Sequence, residues 1–172
     1  HDRPVDILHD GFDCVIRTGA LPEDGVIARP LGKLTMVNCA SPHYLTRFGY
    51  PQSPDDLTSH AIVRYTPHLG VHPLGFEVAS VNGVQWFKSG GMLTVNSSEN
   101  YLTAGLAGLG IIQIPRIAVR EALRAGRLIE VLPGYRAEPL SLSLVYPQRR
   151  ELSRRVNLFM QWLAGVMKEY LD

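Results

Sequence analysis

The chain has 172 residues, 45% of them hydrophobic and 19% charged, with a formal net charge of +1 at pH 7. That length suits one compact domain or two small lobes of ordinary globular composition. The balanced charge excludes a large field aimed at nucleic acid or an anionic membrane. No apolar stretch reaches the roughly 18 residues of a membrane helix.

In chain order, "RPVDILHDG" reads as a short helix, with Pro4 near its first position and Gly11 just past its end. The N-terminus lacks the basic-then-apolar plan of a signal peptide and reads as the middle of a domain. "FDCVIR" is a short strand, "TGALPEDG" a turn-rich stretch and "LTMVNCA" a longer apolar strand. Cys14 and Cys39 lie in these apolar runs, read as buried thiols suited to a reducing, cytoplasmic compartment. Two helix starts follow, "SPHYL" at Ser41 and "SPDDL" at Ser53, each with serine to cap and proline at the first helical position. Asp55 and Asp56 complement the helix dipole there.

"AIVRY" is a strand and "TPHLGVHPLG" a Pro/Gly loop. "FEVAS", "VQWFK" and "MLTV" read as a three-strand meander inserted at one edge. A helix is expected from Ser98 to about Leu109, with Leu102, Leu106 and Leu109 on one face. "IIQI" is a buried-type strand, and a helix runs from Pro115 to Gly126. "RLIEVL" and "LSLSLVYP" are strands. The last helix carries one apolar stripe, Leu152, Val156, Phe159, Leu163, Val166 and Tyr170. Alternation of strands and helices predicts parallel sheets in two α/β lobes, the chain leaving the first near Asn38–Ala40 and returning between about Pro133 and Leu140. A crevice between such lobes suits a small ligand.

Gly105, Gly108 and Gly110 follow a helix and precede a strand, the reverse of a dinucleotide fingerprint, and no Walker lysine accompanies them. They read as packing glycines, with Gly105 and Gly108 allowing close approach and Gly110 ending the helix. The helix start is more informative. Asn96, Ser97 and Ser98 follow a strand and open a helix, where free N–H groups favour an anion. "CASP" at Cys39–Pro42 is built the same way, although capping alone also explains both. Arg17, Thr18 and Gly19, again after a strand, suggest a polar pocket facing a carboxylate, and Arg17 equally suits a structural salt bridge. His68 and His72 lack a shared helical face and an acidic cluster, so no metal is expected. No nucleophile elbow or cysteine–histidine signature appears, Asp55 and Asp56 suit a helix start better than acid–base work, and Trp86 and Trp162 read as core or interface. No enzyme and no cofactor are expected.

The stretch "VDILHDGFDCVIRTGALPEDGVIARPLGKLTMVNCASPHYLTRFGYPQSPDDLTSH" resembles the regulatory domain of LysR-type transcriptional regulators. The likeness continues through "TVNSSENYLTAGLAGLGIIQIPR", "GRLIEVLP" and "LSLVYPQRRELSRRV", essentially the whole chain. The resemblance implies an α/β fold of two Rossmann-like subdomains with a hinge and an interlobe cleft, similar to periplasmic binding proteins. Subdomain I would be residues 1–39 and 140–172, and subdomain II residues 40–139. It implies a small effector, an organic acid, lined by Arg17, Thr18 and Gly19, by Ala40 and Ser41, by Tyr65, Thr66 and Pro67, by Asn96, Ser97, Ser98 and Glu99, and by Val145 and Tyr146. It also implies a homodimer, a tetramer at full length, and DNA contact through an N-terminal winged helix-turn-helix that is not in this chain. The family's first strand and helix are expected ahead of His1, and their absence would bare part of the first sheet and favour self-association. A periplasmic-type solute-binding protein is the alternative. A nucleotide-dependent enzyme rests on the glycines alone.

Overall fold

The computed structural model describes residues 6–7, 9–19, 25–66, 75–148 and 152–171. It divides into two compact units. Among the described residues, unit 1 is Met36–Glu138, and unit 2 takes those of Pro4–Thr35 and Pro139–Asp172.

Unit 2 contains β1 (Val15–Thr18), β2 (Val26–Leu34), β10 (Leu140–Pro147) and α4 (Arg154–Met167). The strands form an antiparallel sheet in the order β1–β10–β2. β2 is absent from the sequence-based reading because Pro30 and Gly32 interrupt its apolar run. Both are accommodated in an edge strand: Ser143 pairs with Pro30 and Leu142 with Gly32, so Leu31 is the extra residue of a bulge. Of the expected first helix, the described residues form one turn, the Asp10 N–H donating to the Asp6 carbonyl at 2.8 Å, closed by Gly11 at φ +75°.

α4 departs from the expected stripe. Met160 is buried and Val156, Leu163 and Met167 are half-buried, whereas Phe159, Val166 and Tyr170 are exposed together with Leu158 and Trp162. The helix therefore has two apolar flanks, one around the buried Met160 and one left exposed. Cys14 is half-buried, not fully buried as expected, and both cysteines are free thiols.

Unit 1 contains β3 (Met36–Ala40), α1 (Pro42–Phe48), a 3-10 helix (Pro54–Ser59), β4 (Ala61–Tyr65), β5 (Phe76–Ser80), β6 (Gly83–Phe87), β7 (Gly90–Val95), α2 (Ser98–Leu106), β8 (Ile112–Pro115), α3 (Arg116–Arg124) and β9 (Ile129–Glu130). β3 pairs antiparallel with β8 on one side and β9 on the other, and β4 pairs parallel with β7. A parallel bridge, Ile62 to Ile111, joins the two sets into one run, β7–β4–β8–β3–β9. The expected parallel sheets are thus corrected in part: β4 runs parallel to β7 and to the Ile111 end of β8, whereas β3 runs against both β8 and β9. The expected meander is corrected too, since β5 and β6 form a separate hairpin while β7 leaves to pair with β4.

Period-two alternation buries both faces of this sheet. Val37, Cys39, Val63, Ile112 and Ile114 pack with Tyr101 and Ala104 of α2 and Val119 and Ala122 of α3. Ala40, Ile62 and Ile111 pack on the other side with Tyr44 and Leu45 of α1, Leu57, Phe76 and Val78.

α2 ends at Leu106, three residues earlier than expected, and Leu109 is exposed outside it. The glycine roles change accordingly. Gly105 does allow close packing, since a Cβ there would lie 2.6 Å from Ile112 Cδ1. Gly108 also allows close approach, its Cβ position lying 3.1 Å from Ser41 Oγ, and at φ +78° it turns the chain out of the helix. Gly110 is a close approach as well, with a Cβ position 2.6 Å from the Ala61 carbonyl oxygen of β4.

Candidate functional site

In unit 1 the strand ends divide the expected site residues into two groups. β4 and β7 run parallel with Tyr65 opposite Val95, so their carboxyl ends lie side by side. The Thr66 N–H donates to the Val95 carbonyl at 3.0 Å, which sets Thr66 beside Asn96. Thr66 and Ser97 are buried, Asn96 is half-buried, and Ser98 and Glu99 are exposed. Ser97 occupies the N-cap of α2 without bonding the helix through its hydroxyl, and its carbonyl accepts from Tyr101 N–H at 2.9 Å. The opening N–H groups of α2 thus end at this edge, with the positive end of the helix dipole. Tyr65 packs its ring 5.7 Å from that of Tyr101 on α2.

Ala40 and Ser41 are not part of this group. β3 runs antiparallel to β8, with Met36 opposite Pro115 and Cys39 opposite Ile112. Its end therefore lies level with Ile111 and the start of β4, four residues or roughly 13 Å along the strands from the Thr66 edge. Ala40 is fully buried. The Ser41 hydroxyl accepts from Tyr44 N–H at 3.2 Å, capping α1, and the Cβ position of Gly108 is 3.1 Å from it. Ser41 is a helix cap closed in by the exit of α2. Pro67, like His68 and His72, lies outside the described residues.

Unit 2 shows the same division. Arg17 is opposite Ser143 and Thr18 opposite Leu142, and the Gly19 N–H donates to the Ser141 carbonyl at 3.0 Å. These three lie at the end of the sheet where Leu34 pairs with Leu140, from which the chain passes to and from unit 1. Val145 and Tyr146 sit at the other end, opposite Val15 and Ile27, about 13 Å along β10 from the level of Gly19. Val145 is fully enclosed between β1 and β2. The two groups that remain near the chain connections are Arg17–Gly19 in unit 2 and Tyr65, Thr66 and Asn96–Glu99 in unit 1. Met36, the first residue of β3, shares the edge of the second group.

Behind that edge is a buried polar network that residue patterning alone did not reveal. The Asn38 amide donates to the carbonyls of Leu132 at 3.2 Å and Tyr135 at 2.8 Å, and its oxygen accepts from Gln113 Nε2 at 2.9 Å. Gln113 also bonds both backbone groups of Glu77, and its own N–H donates to the Tyr101 hydroxyl at 2.8 Å. Glu77 in turn accepts from the Glu138 N–H at 3.0 Å. The segment leading back to unit 2 is therefore fastened by side chains where no long strand pairs it. Leu132 takes φ +48°, a conformation leucine rarely adopts, within this fastening. A fully enclosed Asn at the centre of an apolar strand is the signal that could have disclosed it.

Burial shifts several titrations. Desolvation, with the Glu130 carboxylate nearby, pushes the Cys39 thiol up to about 12, and burial also raises the Tyr101 phenol. Burial lowers His60, partly offset by Asp56, and its Nδ1 lies 3.0 Å from the Tyr44 hydroxyl. The Asp56 carboxyl is held below its usual range by the N–H groups of Gln52 and Ser53, the helix-start role expected of it. Among the described residues no three His, Cys, Asp or Glu side chains cluster to hold a metal, and no helix is long and apolar enough to cross a membrane.

A depression of about 500 Å³ in unit 2 is lined by Asp13, Cys14, Ser153, Arg155, Val156 and Phe159. It opens beside the exposed flank of α4 and the start of β1, at the opposite end of that strand from Arg17–Gly19.

Comparison with known proteins places these features in context. The family model described as the LysR substrate binding domain matches residues 1–168. An HTH-type transcriptional repressor of Pseudomonas aeruginosa is 34% identical, over 98% of this chain and 53% of its own length. The HTH-type transcriptional activator AaeR of Escherichia coli is 31% identical, over 95% of this chain and 52% of its own. The regulatory domain of CrgA, a LysR-type transcriptional regulator from Neisseria meningitidis, superposes with a TM-score of 0.80 at 25% identity, covering 93% of this chain and 78% of that one. The chain spans about half the length of the curated relatives it matches. Its two α/β units have the periplasmic-binding-protein-like fold of these regulatory domains. A match running over nearly every residue, with the same fold behind it, shows that this chain belongs to the LysR family and is its substrate-binding domain.

Proposed function

We propose that this chain is the ligand-sensing module of a cytoplasmic DNA-binding transcription regulator, without enzymatic activity, and that its effector is a small carboxylate-bearing acid. One observation carries the choice of ligand: Thr66, Asn96, Ser97 and the opening N–H groups of α2 converge at one edge of unit 1. Hydroxyl, amide and helix-end donors together suit a carboxylate. Arg17, Thr18 and Gly19 are the residues we assign to effector binding within unit 2. Switching follows when the effector binds one arrangement of the protein more tightly than another. DNA contact belongs to a winged helix-turn-helix outside residues 1–172, and the assembly is a homodimer that becomes a tetramer at full length.

A calorimetric screen of small mono- and dicarboxylic acids tests the reading. Thr66→Leu and Ser98→Trp are expected to abolish the heat of binding of any acid found. Ser41→Ala is expected to lower stability by about 1 kcal/mol through loss of the α1 cap while leaving affinity unchanged. Affinity insensitive to Thr66→Leu and Ser98→Trp overturns the assignment.

A further inference from the structure

The net charge of +1 conceals a segregated one. α3 buries Val119 and Ala122 against the core of unit 1. Its opposite flank carries Arg116, Arg120 and Arg124 at successive four-residue steps, and Arg127 follows just beyond the Gly126 turn. All four are exposed. Arg136 adjoins them through Glu130, which accepts from Arg136 at 2.6 Å and from Arg116 at 2.8 Å. Besides Glu130, α3 and β9 carry one carboxylate, Glu121, 82% exposed and 3.5 Å from Arg124. Residues 116–136 thus carry five arginines and two glutamates, and the rest of the chain is net acidic.

Helix stability does not account for this row. Arg116 stands at the first helical position with no acidic residue in that turn, where a cation opposes the helix dipole. Exposed pairs such as Arg124–Glu121 hold their partners weakly. Arg127 has no ion-pair partner among the described residues. From Arg116 to Arg124 the helix rises about 12 Å, a length along which duplex DNA presents about seven charges. Arginine forks bind phosphate oxygens in pairs, so a ladder of them fits a polyphosphate better than scattered carboxylates.

We infer that the arginine flank of α3 is a docking surface for the phosphate backbone of DNA, a sequence-independent contact made by the regulatory domain itself. It rests on the reading of this chain as part of a DNA-binding regulator, but not on the effector site.

Fluorescence anisotropy with a labelled duplex of arbitrary sequence tests it, on the whole 172-residue chain between about 20 and 200 mM salt. The wild-type chain is expected to bind at low salt, with a log–log salt slope of about −3 to −4 for three or four neutralised phosphates. The triple variant Arg120→Gln, Arg124→Gln, Arg127→Gln leaves the Glu130 pairs in place and is expected to lose most of that slope. The corresponding triple lysine variant is expected to retain it, and thermal melts of both variants establish that they are folded. No binding at low salt, an unchanged slope in the folded glutamine variant, or binding to phosphatidylserine vesicles in place of DNA overturns the inference. Calorimetry of small acids is independent of this outcome, so failure here and failure of the effector site are separately visible.

Discussion

Unit 1 and unit 2 bury their apolar residues to different degrees. Among the described residues both hydrophobic clusters, one on each face of the five-strand run, lie within Met36–Glu138. Among the described residues unit 2 has three strands and α4, and buries Ile7, Leu34, Leu142, Leu144, Val145 and Met160. It leaves Leu158, Phe159, Trp162, Val166 and Tyr170 exposed along that helix. A sheet covered on both faces closes its own core, whereas among the described residues the second apolar flank of α4 stays in solvent. Contiguous apolar surface of that kind marks an interaction site.

The largest expected effect contrasts a glycine from each unit. Gly110→Ala places a methyl group 2.6 Å from a backbone oxygen of β4, which cannot swing aside. We expect a loss of about 3 kcal/mol in urea denaturation. Gly165→Ala, inside α4 with nothing within 4 Å of its Cβ position, should gain about 0.5 to 1 kcal/mol. Equal effects at the two positions would contradict the difference in packing.

Next comes Asn38→Ala. It strips partners from Gln113 and from the Leu132 and Tyr135 carbonyls, so a loss of about 2 kcal/mol is expected. Hydrogen exchange should accelerate first over residues 131–138. Exchange that rises uniformly across unit 1 would show that the network does not specifically fasten this segment.

A third test addresses the open flank of α4. The double variant Phe159→Ser, Trp162→Ser should change stability by no more than about 0.5 kcal/mol, since both rings are largely exposed. We expect concentration-dependent association in analytical ultracentrifugation, and the double variant should reduce it. A large stability loss would place these rings in a core instead.

The smallest effect belongs to His60. Its folded pKa lies below the ordinary 6.5, because burial penalises the cation more than Asp56 favours it. The unfolded chain therefore binds the extra proton more readily. Stability from this group is complete above about pH 6.5 and is lost as pH falls toward the lowered folded value. His60→Gln should flatten that part of the stability–pH curve, and an unchanged slope would remove His60 as its source.

Residue patterning alone located most elements of unit 1. Ser41–Pro42 and Ser53–Pro54 begin helices because capping and proline geometry are local properties, and the Phe76–Phe87 hairpin follows from its turn. The family likeness, carried by whole motifs such as "VNSSEN", was legible for the same reason: it is a pattern along the chain. Partners were not legible. Nothing local distinguishes β7 paired in parallel with β4 from a third strand of a meander. Nor does anything local show that β3 runs against β8, and that direction alone moves Ala40 and Ser41 to the far edge from Thr66. The same limit applied to the charges, since a sum of +1 carries no information about which side of α3 holds the arginines.

The sequence by itself determined the element types, the family and the chemistry available at each strand end, because capping, alternation and motif spacing act within a few residues. Only the tertiary structure decided which strand ends share an edge, that Asn38 fastens the returning segment, and which flank of α4 stays open. Those outcomes depend on strand direction and on contacts between residues as far apart as Val15 and Val145, 130 positions, distances over which no local pattern constrains the chain.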